Sequence, residues 1–154
     1  MTSDEQAIRN LLFTYAERID RGDITGMARL FEHAAYRAGE QAPLTDWREV
    51  ERLNQSLVLL YEDGTPKTQH VTTKVLVELE PGGAAASARS RFTVLQAAPG
   101  AALQVIVAGR YHDRFEKVEG AWRFSARHIF MDLIGDLTRH LRLDQLARVQ
   151  RPKA

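Results

Sequence analysis

Apolar residues in the first 60 positions recur at helical spacing, and from about position 70 they alternate with polar ones. In IRNLLFTYAERID, Ile8, Leu11, Leu12, Tyr15 and Ile19 follow the i, i+3, i+4, i+7 spacing of one helical face. Ser3 and Gln6 have capping-box spacing and start this helix near Asp4. Gly22, after Arg21, supplies the left-handed residue that closes it. Asp23 caps a short second helix whose Met27, Leu30 and Phe31 face inward, with a short strand following over 34–37. Asp46 and Glu49 open a third helix, with Val50, Leu53, Leu57 and Leu60 on its apolar face and Asp63-Gly64-Thr65-Pro66 ending it.

The period then changes to two. Val71, Thr73, Val75, Val77 and Leu79 alternate with polar residues up to the turn at Pro81-Gly82-Gly83. A second strand covers 86–95, and a third carries Leu103, Val105, Val107, Gly109, Tyr111, Asp113 and Phe115 on one face. Glu119-Gly120 turns into a fourth, through Trp122, Phe124, Ala126, His128 and Phe130. Four long strands joined by short turns predict an antiparallel meander, and helices followed by strands predict an α+β fold. The tail from Asp136 carries Leu137, Leu141 and Leu146 at helical spacing. Three helices cannot cover so long a sheet. A pocket between helix and sheet is expected, as is an exposed sheet face that pairs with a second copy through the row Trp122, Phe124, Phe130.

At 154 residues, the chain fits one domain spanning 1–154, with its core at about 4–136 and a tail from 137. With 44% hydrophobic and 27% charged residues it has ordinary globular composition. A net charge of +1, with both signs interspersed, argues against a nucleic-acid partner. The absence of cysteine excludes disulfides, thiolate metal sites and cysteine nucleophiles. No basic-then-apolar leader opens the chain and no apolar run reaches membrane length, so a cytoplasmic protein with no membrane partner is expected. Five scattered histidines lack metal-ligand spacing, so no metal is expected, and there is no P-loop, GxGxxG or GxSxG signature.

Asp20 lies on the flank of the first helix's apolar stripe, where a carboxylate is either a cap or ion-pair partner, or part of a site. The order YAERID-RGD, then TQH opening a strand, then AGRYHDRFEKVEGAWRFSARH, resembles the SnoaL-like branch of the NTF2-like superfamily, across about 4–136. The resemblance implies an NTF2-like cone: N-terminal helices packed on a curved, mostly antiparallel sheet enclosing a deep pocket, in a homodimer or trimer. Members include dehydratases, dehydrochlorinases, isomerases and cyclases that need no cofactor, besides many members without assigned activity. By position, Asp20 and His70 resemble the acid–histidine pair of the dehydratase and dehydrochlorinase members. Arg127 resembles the arginine that assists a leaving group, and Tyr15 occupies the place of a polar pocket residue.

The chemistry is coherent. A carboxylate on one imidazole nitrogen fixes the tautomer, and the other nitrogen accepts a proton from substrate near neutral pH. Each residue also has a plainer reading. His70 can be a strand-end residue bonded to backbone, Arg127 a partner for an acid on a neighbouring strand, Tyr15 a core residue, and Trp47 an anchor for the third helix. Strict alternation sets His70 and Arg127 out of phase with the apolar faces of their strands, unless a β-bulge resets either one. His128 then points to the opposite sheet face from Arg127, and His33, His112 and His140 read as surface or structural residues.

The leading expectation is a cofactor-independent lyase or isomerase acting on a small, mostly apolar, possibly cyclic ligand. His70 would be the base and Asp20 its orienter, with Arg127 or Tyr15 stabilising developing charge and Leu12, Ile19, Trp47 and Leu57 lining the pocket. The alternatives are a binding module without turnover, and a structural subunit like the small β subunit of ring-hydroxylating dioxygenases.

Overall fold

The computed structural model describes residues 1–150, with side chains through Leu146. Helix α1 (Asp4–Asp20) is followed by α2 (Ile24–Arg29), strand β1 (Ala35–Ala38) and α3 (Trp47–Leu57). Four long strands come next, β2 (Thr68–Leu79), β3 (Ala85–Gln96), β4 (Gln104–Val118) and β5 (Ala121–Ile134), and then α4 (Leu143–Gln150). The sheet order is β1-β5-β4-β3-β2. The long strands form the expected antiparallel meander, while β1 adds a parallel edge beside β5. The result is an α+β fold with helices packed on one face of an open, curved sheet. No described helix is long and apolar enough to cross a membrane.

Helix α1 forms as its sequence dictates. The Ser3 hydroxyl accepts from Gln6 N–H at 3.2 Å, and Asp4 and Glu5 place negative charge at the positive end of the helix dipole. Ile8, Leu12, Tyr15, Ala16 and Ile19 are buried, each large apolar side chain contributing about 1.5–3 kcal/mol of burial free energy. Gly22 ends the run with φ 77°, and a Cβ there would meet the Gly64 carbonyl oxygen at 1.9 Å. Only glycine allows this close approach, which fixes where the end of α1 sits against the loop before β2.

The faces of the strands depart from strict alternation, because register slips reset them. On β2 the pairing shifts between Thr73 and Leu76, where Lys74 takes φ 50° and both Lys74 and Val75 stand against Ser90. The polar stretch Thr68, His70, Thr72 therefore shares the helix-facing side with Val75, Val77 and Leu79. A second slip, at Ile106, turns Leu103 and Val105 outward, where they are exposed. A third, between the Phe115–Phe124 and Arg114–Ala126 pairs, puts Phe124 and Arg127 on the same buried face. The expected outward row of Trp122, Phe124 and Phe130 is thereby broken. Phe124 is fully buried and Trp122 bonds Asp4 on α1 at 2.9 Å, while Phe130 stays on the outer face between His112 and His128.

Two further expectations are corrected. Helix α3 stops at Leu57, and Leu60 is exposed instead of continuing its apolar face. Val58 turns extended and bridges Leu141, so backbone pairing with the later chain ends the helix. The tail is not helical through Leu137 and Leu141. Residues 135–142 form an irregular strap, with α4 beginning at Leu143. The part of the expected tail over 151–154 lies outside the described residues.

Candidate active site

The last residue of α1, Asp20, meets the first residues of β2. Its Oδ1 lies 2.6 Å from His70 Nδ1 and accepts from the Thr68 hydroxyl at 2.8 Å. Its Oδ2 accepts the His70 backbone N–H at 2.8 Å. Because β2 is an edge strand, that N–H has no neighbouring strand to bond, and the carboxylate takes the place of one. Three donors thus fix the carboxylate on one histidine. The His70 side chain is 8% exposed and that of Asp20 20%, so the pair is shielded without being sealed. A groove of about 360 Å³ opens beside them, lined by Phe13, Ala16, Glu17, Asp20, Arg21, His70 and Thr72. With Nδ1 engaged by Asp20, His70 Nε2 has no hydrogen-bond partner among the described residues.

A second histidine stands behind the first. The ring of His140, on the strap, is centred 6.3 Å from the His70 ring and is 5% exposed. Burial, then the neighbouring His70, push its pKa down to about 4, against a smaller opposing pull from Asp20. Its Nδ1 is buried with no partner. The only prior hint in the chain was its place between Leu137 and Leu141, which resembles no motif.

Arg127 and Tyr15 lie in a different cluster. Arg127 makes a bidentate ion pair with Asp113 on β4, at 2.8 and 2.9 Å, with both side chains at 0% exposure. The Tyr111 and Tyr15 rings lie over the guanidinium, at 3.8 and 4.2 Å. Burial alone would lower the pKa of Arg127, but Asp113 outweighs it and holds the guanidinium charged. Burial pushes the Asp113 carboxyl up, against the opposing pull of Arg127. Burial also raises the phenol pKa values of Tyr15, Tyr36 and Tyr111, so all three remain neutral O–H groups. Arg127 Nη1 is buried without a partner.

Of the remaining candidates, Leu12, Ile19 and Leu57 are buried in the core at 1%, 5% and 8% exposure. Trp47 is half-buried on the first turn of α3, with the Arg29 and Arg48 guanidinium groups 4.7 and 4.8 Å from its ring. The structure therefore joins Asp20 and His70, adds Thr68 and His140, and places Arg127 and Tyr15 together around Asp113. His128 lies on the outer sheet face, its Nε2 2.8 Å from the Gly39 carbonyl oxygen, with His112 paired opposite.

The SnoaL-like domain family matches residues 1–128. No curated protein matches the sequence. Among solved structures, one of a Mycobacterium tuberculosis protein of unknown function is 25% identical, covers 83% of this chain and 71% of its own, and has a TM-score of 0.67. A scytalone dehydratase candidate from Novosphingobium aromaticivorans is 18% identical over 86% of this chain and 87% of its own, with a TM-score of 0.68. LinA is 16% identical over 86% and 88%, with a TM-score of 0.67. A cystatin-like-fold protein of unknown function from Nostoc punctiforme, at 16% identity, covers 89% and 98% with a TM-score of 0.70, which marks the fold as NTF2-like and cystatin-like. The chain belongs to the family of SnoaL-like domains.

Proposed function

We propose that this chain is a cofactor-independent lyase or isomerase that removes a proton from a small, mostly apolar, cyclic substrate. His70 is the base and Asp20 its orienting partner. The observation that carries this reading is the Asp20 carboxylate, held by Thr68 and the His70 backbone with one oxygen on His70 Nδ1. That arrangement commits Nδ1 to donating and leaves Nε2 with a lone pair to receive a proton. Once protonated, the imidazolium stays paired with the carboxylate, which lowers the cost of forming the ion in a shielded place. The likeness to LinA and to a scytalone dehydratase candidate supports the same class of chemistry.

Arg127 enters this reading as a positioning residue. Its charge is neutralised by Asp113 and its faces are covered by Tyr15 and Tyr111, so it holds the tyrosines in place before it meets any ligand. The test is deuterium uptake from D₂O into a panel of small cyclic ketones, hydroxyketones and chlorinated rings, followed by proton NMR. The expected result is uptake, or elimination, with at least one class, lost in His70→Ala. Failure of every class, or full activity in His70→Ala, would contradict the proposal. A binding module would bind panel members with no reaction to lose.

A further inference from the structure

The outer face of the sheet, away from Asp20 and His70, carries a second groove. It is about 470 Å³ in volume and lies across β2, β3 and β4. Four cations line it, Lys74, Arg89, Arg91 and Arg110, together with His112 and Leu76, and no described carboxylate does. The register sets these charges side by side. Arg91 stands directly opposite Arg110, and Arg89 directly opposite His112. Like charges facing each other across a ladder destabilise a sheet, and an anion between them removes that cost.

The acids nearby offset only part of this charge. Asp132 takes Arg110 on both oxygens, at 2.8 and 3.1 Å, and lies 3.7 Å from Arg91. Glu78 lies 3.6 Å from Arg89, and Lys74 pairs with no acid among the described residues. Two carboxylates against four cations leave a surplus of two positive charges. The backbone is bent where Lys74 joins the groove. The register slip in β2 falls between Thr73 and Leu76, and Lys74 takes φ 50°, a left-handed conformation that side chains other than glycine disfavour. A bulge re-aims one side chain, and this one sets Lys74 in the groove wall. Arg110 is fixed differently. Asp132 holds its Nε and Nη2, the Phe130 ring centre lies 4.4 Å from the guanidinium carbon, and Nη1 has no partner among the described residues.

We infer that this groove binds a phosphate monoester, with the phosphate among Lys74, Arg89, Arg91 and Arg110 and the carbon skeleton against Leu76. The inference is independent of the chemistry proposed for His70. A phosphate monoester carries a charge of about −1.5 to −2 near pH 7, which matches the surplus. Guanidinium groups suit it because their planar, paired N–H donors fit phosphate oxygens. Leu76, 56% exposed beside the cations, gives the ester an apolar contact that inorganic phosphate cannot make. His112 adds a ring without charge, since burial, then Arg110, hold its pKa below the ordinary histidine value. Leu103, Val105 and Leu133, exposed apolar residues on the same sheet, do not line the groove.

Isothermal titration of the full chain with phenyl phosphate, near neutral pH and at low salt, tests this. One site per chain is expected, with a Kd on the order of 0.1–1 mM. Binding should weaken at least about fivefold in about 0.5 M salt. Inorganic phosphate should bind at least about threefold more weakly than the ester, since it has no group for Leu76. Lys74→Gly removes the ammonium at a φ that glycine adopts freely, and Arg91→Gln removes an exposed guanidinium. Each should keep the fold and weaken binding at least about fivefold. Arg52→Gln makes the same change of charge on the exposed side of α3 and should shift the Kd by less than about twofold. No saturable binding of phenyl phosphate up to about 10 mM would overturn the inference, and that is the result if a second copy covers the groove. Parent-like binding in folded Lys74→Gly and Arg91→Gln, or an equal loss in Arg52→Gln, would overturn it too. Equal affinity for inorganic phosphate would overturn the assignment to an ester.

Discussion

Asp113 and Arg127 stand directly opposite each other on β4 and β5 and share two hydrogen bonds, 2.8 and 2.9 Å long, with neither side chain reaching solvent. Removing one partner leaves the other charge buried and alone, which costs about 3–5 kcal/mol. Arg127→Met is expected to destabilise the fold by that order, and Asp113→Asn by a similar amount. Replacing both residues with apolar ones of similar volume should recover much of the loss. Urea unfolding of the two single variants and the double variant measures this. Additive losses would show that the two side chains do not act as a pair.

His140 ties stability to pH. Its pKa is about 4 in the folded chain, below the ordinary histidine value, because burial and His70 disfavour its charge. Above pH 6.5 both folded and unfolded chains hold it neutral and it has no effect. Between pH 6.5 and 4 the unfolded chain binds the proton and the folded chain does not, so stability falls as pH falls, by up to about 3 kcal/mol. Below pH 4 this contribution levels off. Denaturant midpoints of the parent and His140→Phe, measured from pH 7 to 4.5, should diverge in slope, the variant being flatter. Parallel curves would mean that His140 is not held neutral by the fold.

Self-association is expected through the outer face of the sheet. The broken aromatic row leaves a different apolar patch there: Leu103 just before β4 and Val105 in it, with Leu133 near the end of β5, between 56% and 70% exposed. A wet patch of this kind favours a second copy, and we expect a homodimer. Light scattering should give twice the chain mass, and Leu133→Glu should shift it to monomer without lowering the thermal midpoint of the monomeric fold. A parent that is monomeric at micromolar concentration would contradict this.

Much of the fold was legible in the chain. Ile8, Leu12, Tyr15 and Ile19 announce α1 because helix periodicity and burial agree there, and Ser3 and Gly22 mark its ends by backbone chemistry that few other residues supply. The faces of the strands were not legible in the same way. A bulge needs only one extra residue, and the residue that takes the left-handed turn in β2 is Lys74, which advertises nothing. One slip moved His70 and another moved Arg127 onto buried faces that alternation denied them. The strap was hidden for another reason. Tyr61 and Gln96 hold it through its Arg139 carbonyl, its own Arg142 reaches the Val58 carbonyl, and carbonyls leave no pattern in a sequence. His140 therefore looked like a tail residue. The parallel edge strand β1 is four residues long, too short for its periodicity to say which strand it joins.

The proposed chemistry turns on His70 as a base oriented by Asp20. The most direct measurement takes whichever panel compound shows uptake or elimination and compares the parent, His70→Ala and Asp20→Asn, each first confirmed as folded by circular dichroism. His70→Ala should lose at least about 100-fold in rate, the scale of a positioned general base. Asp20→Asn keeps the size but replaces a charged acceptor with an amide that can turn its N–H toward the ring, so a loss of similar order is expected. Both folded variants working at the parent rate would contradict the account and reduce the Asp20–His70 contact to a tie between a helix end and an edge strand.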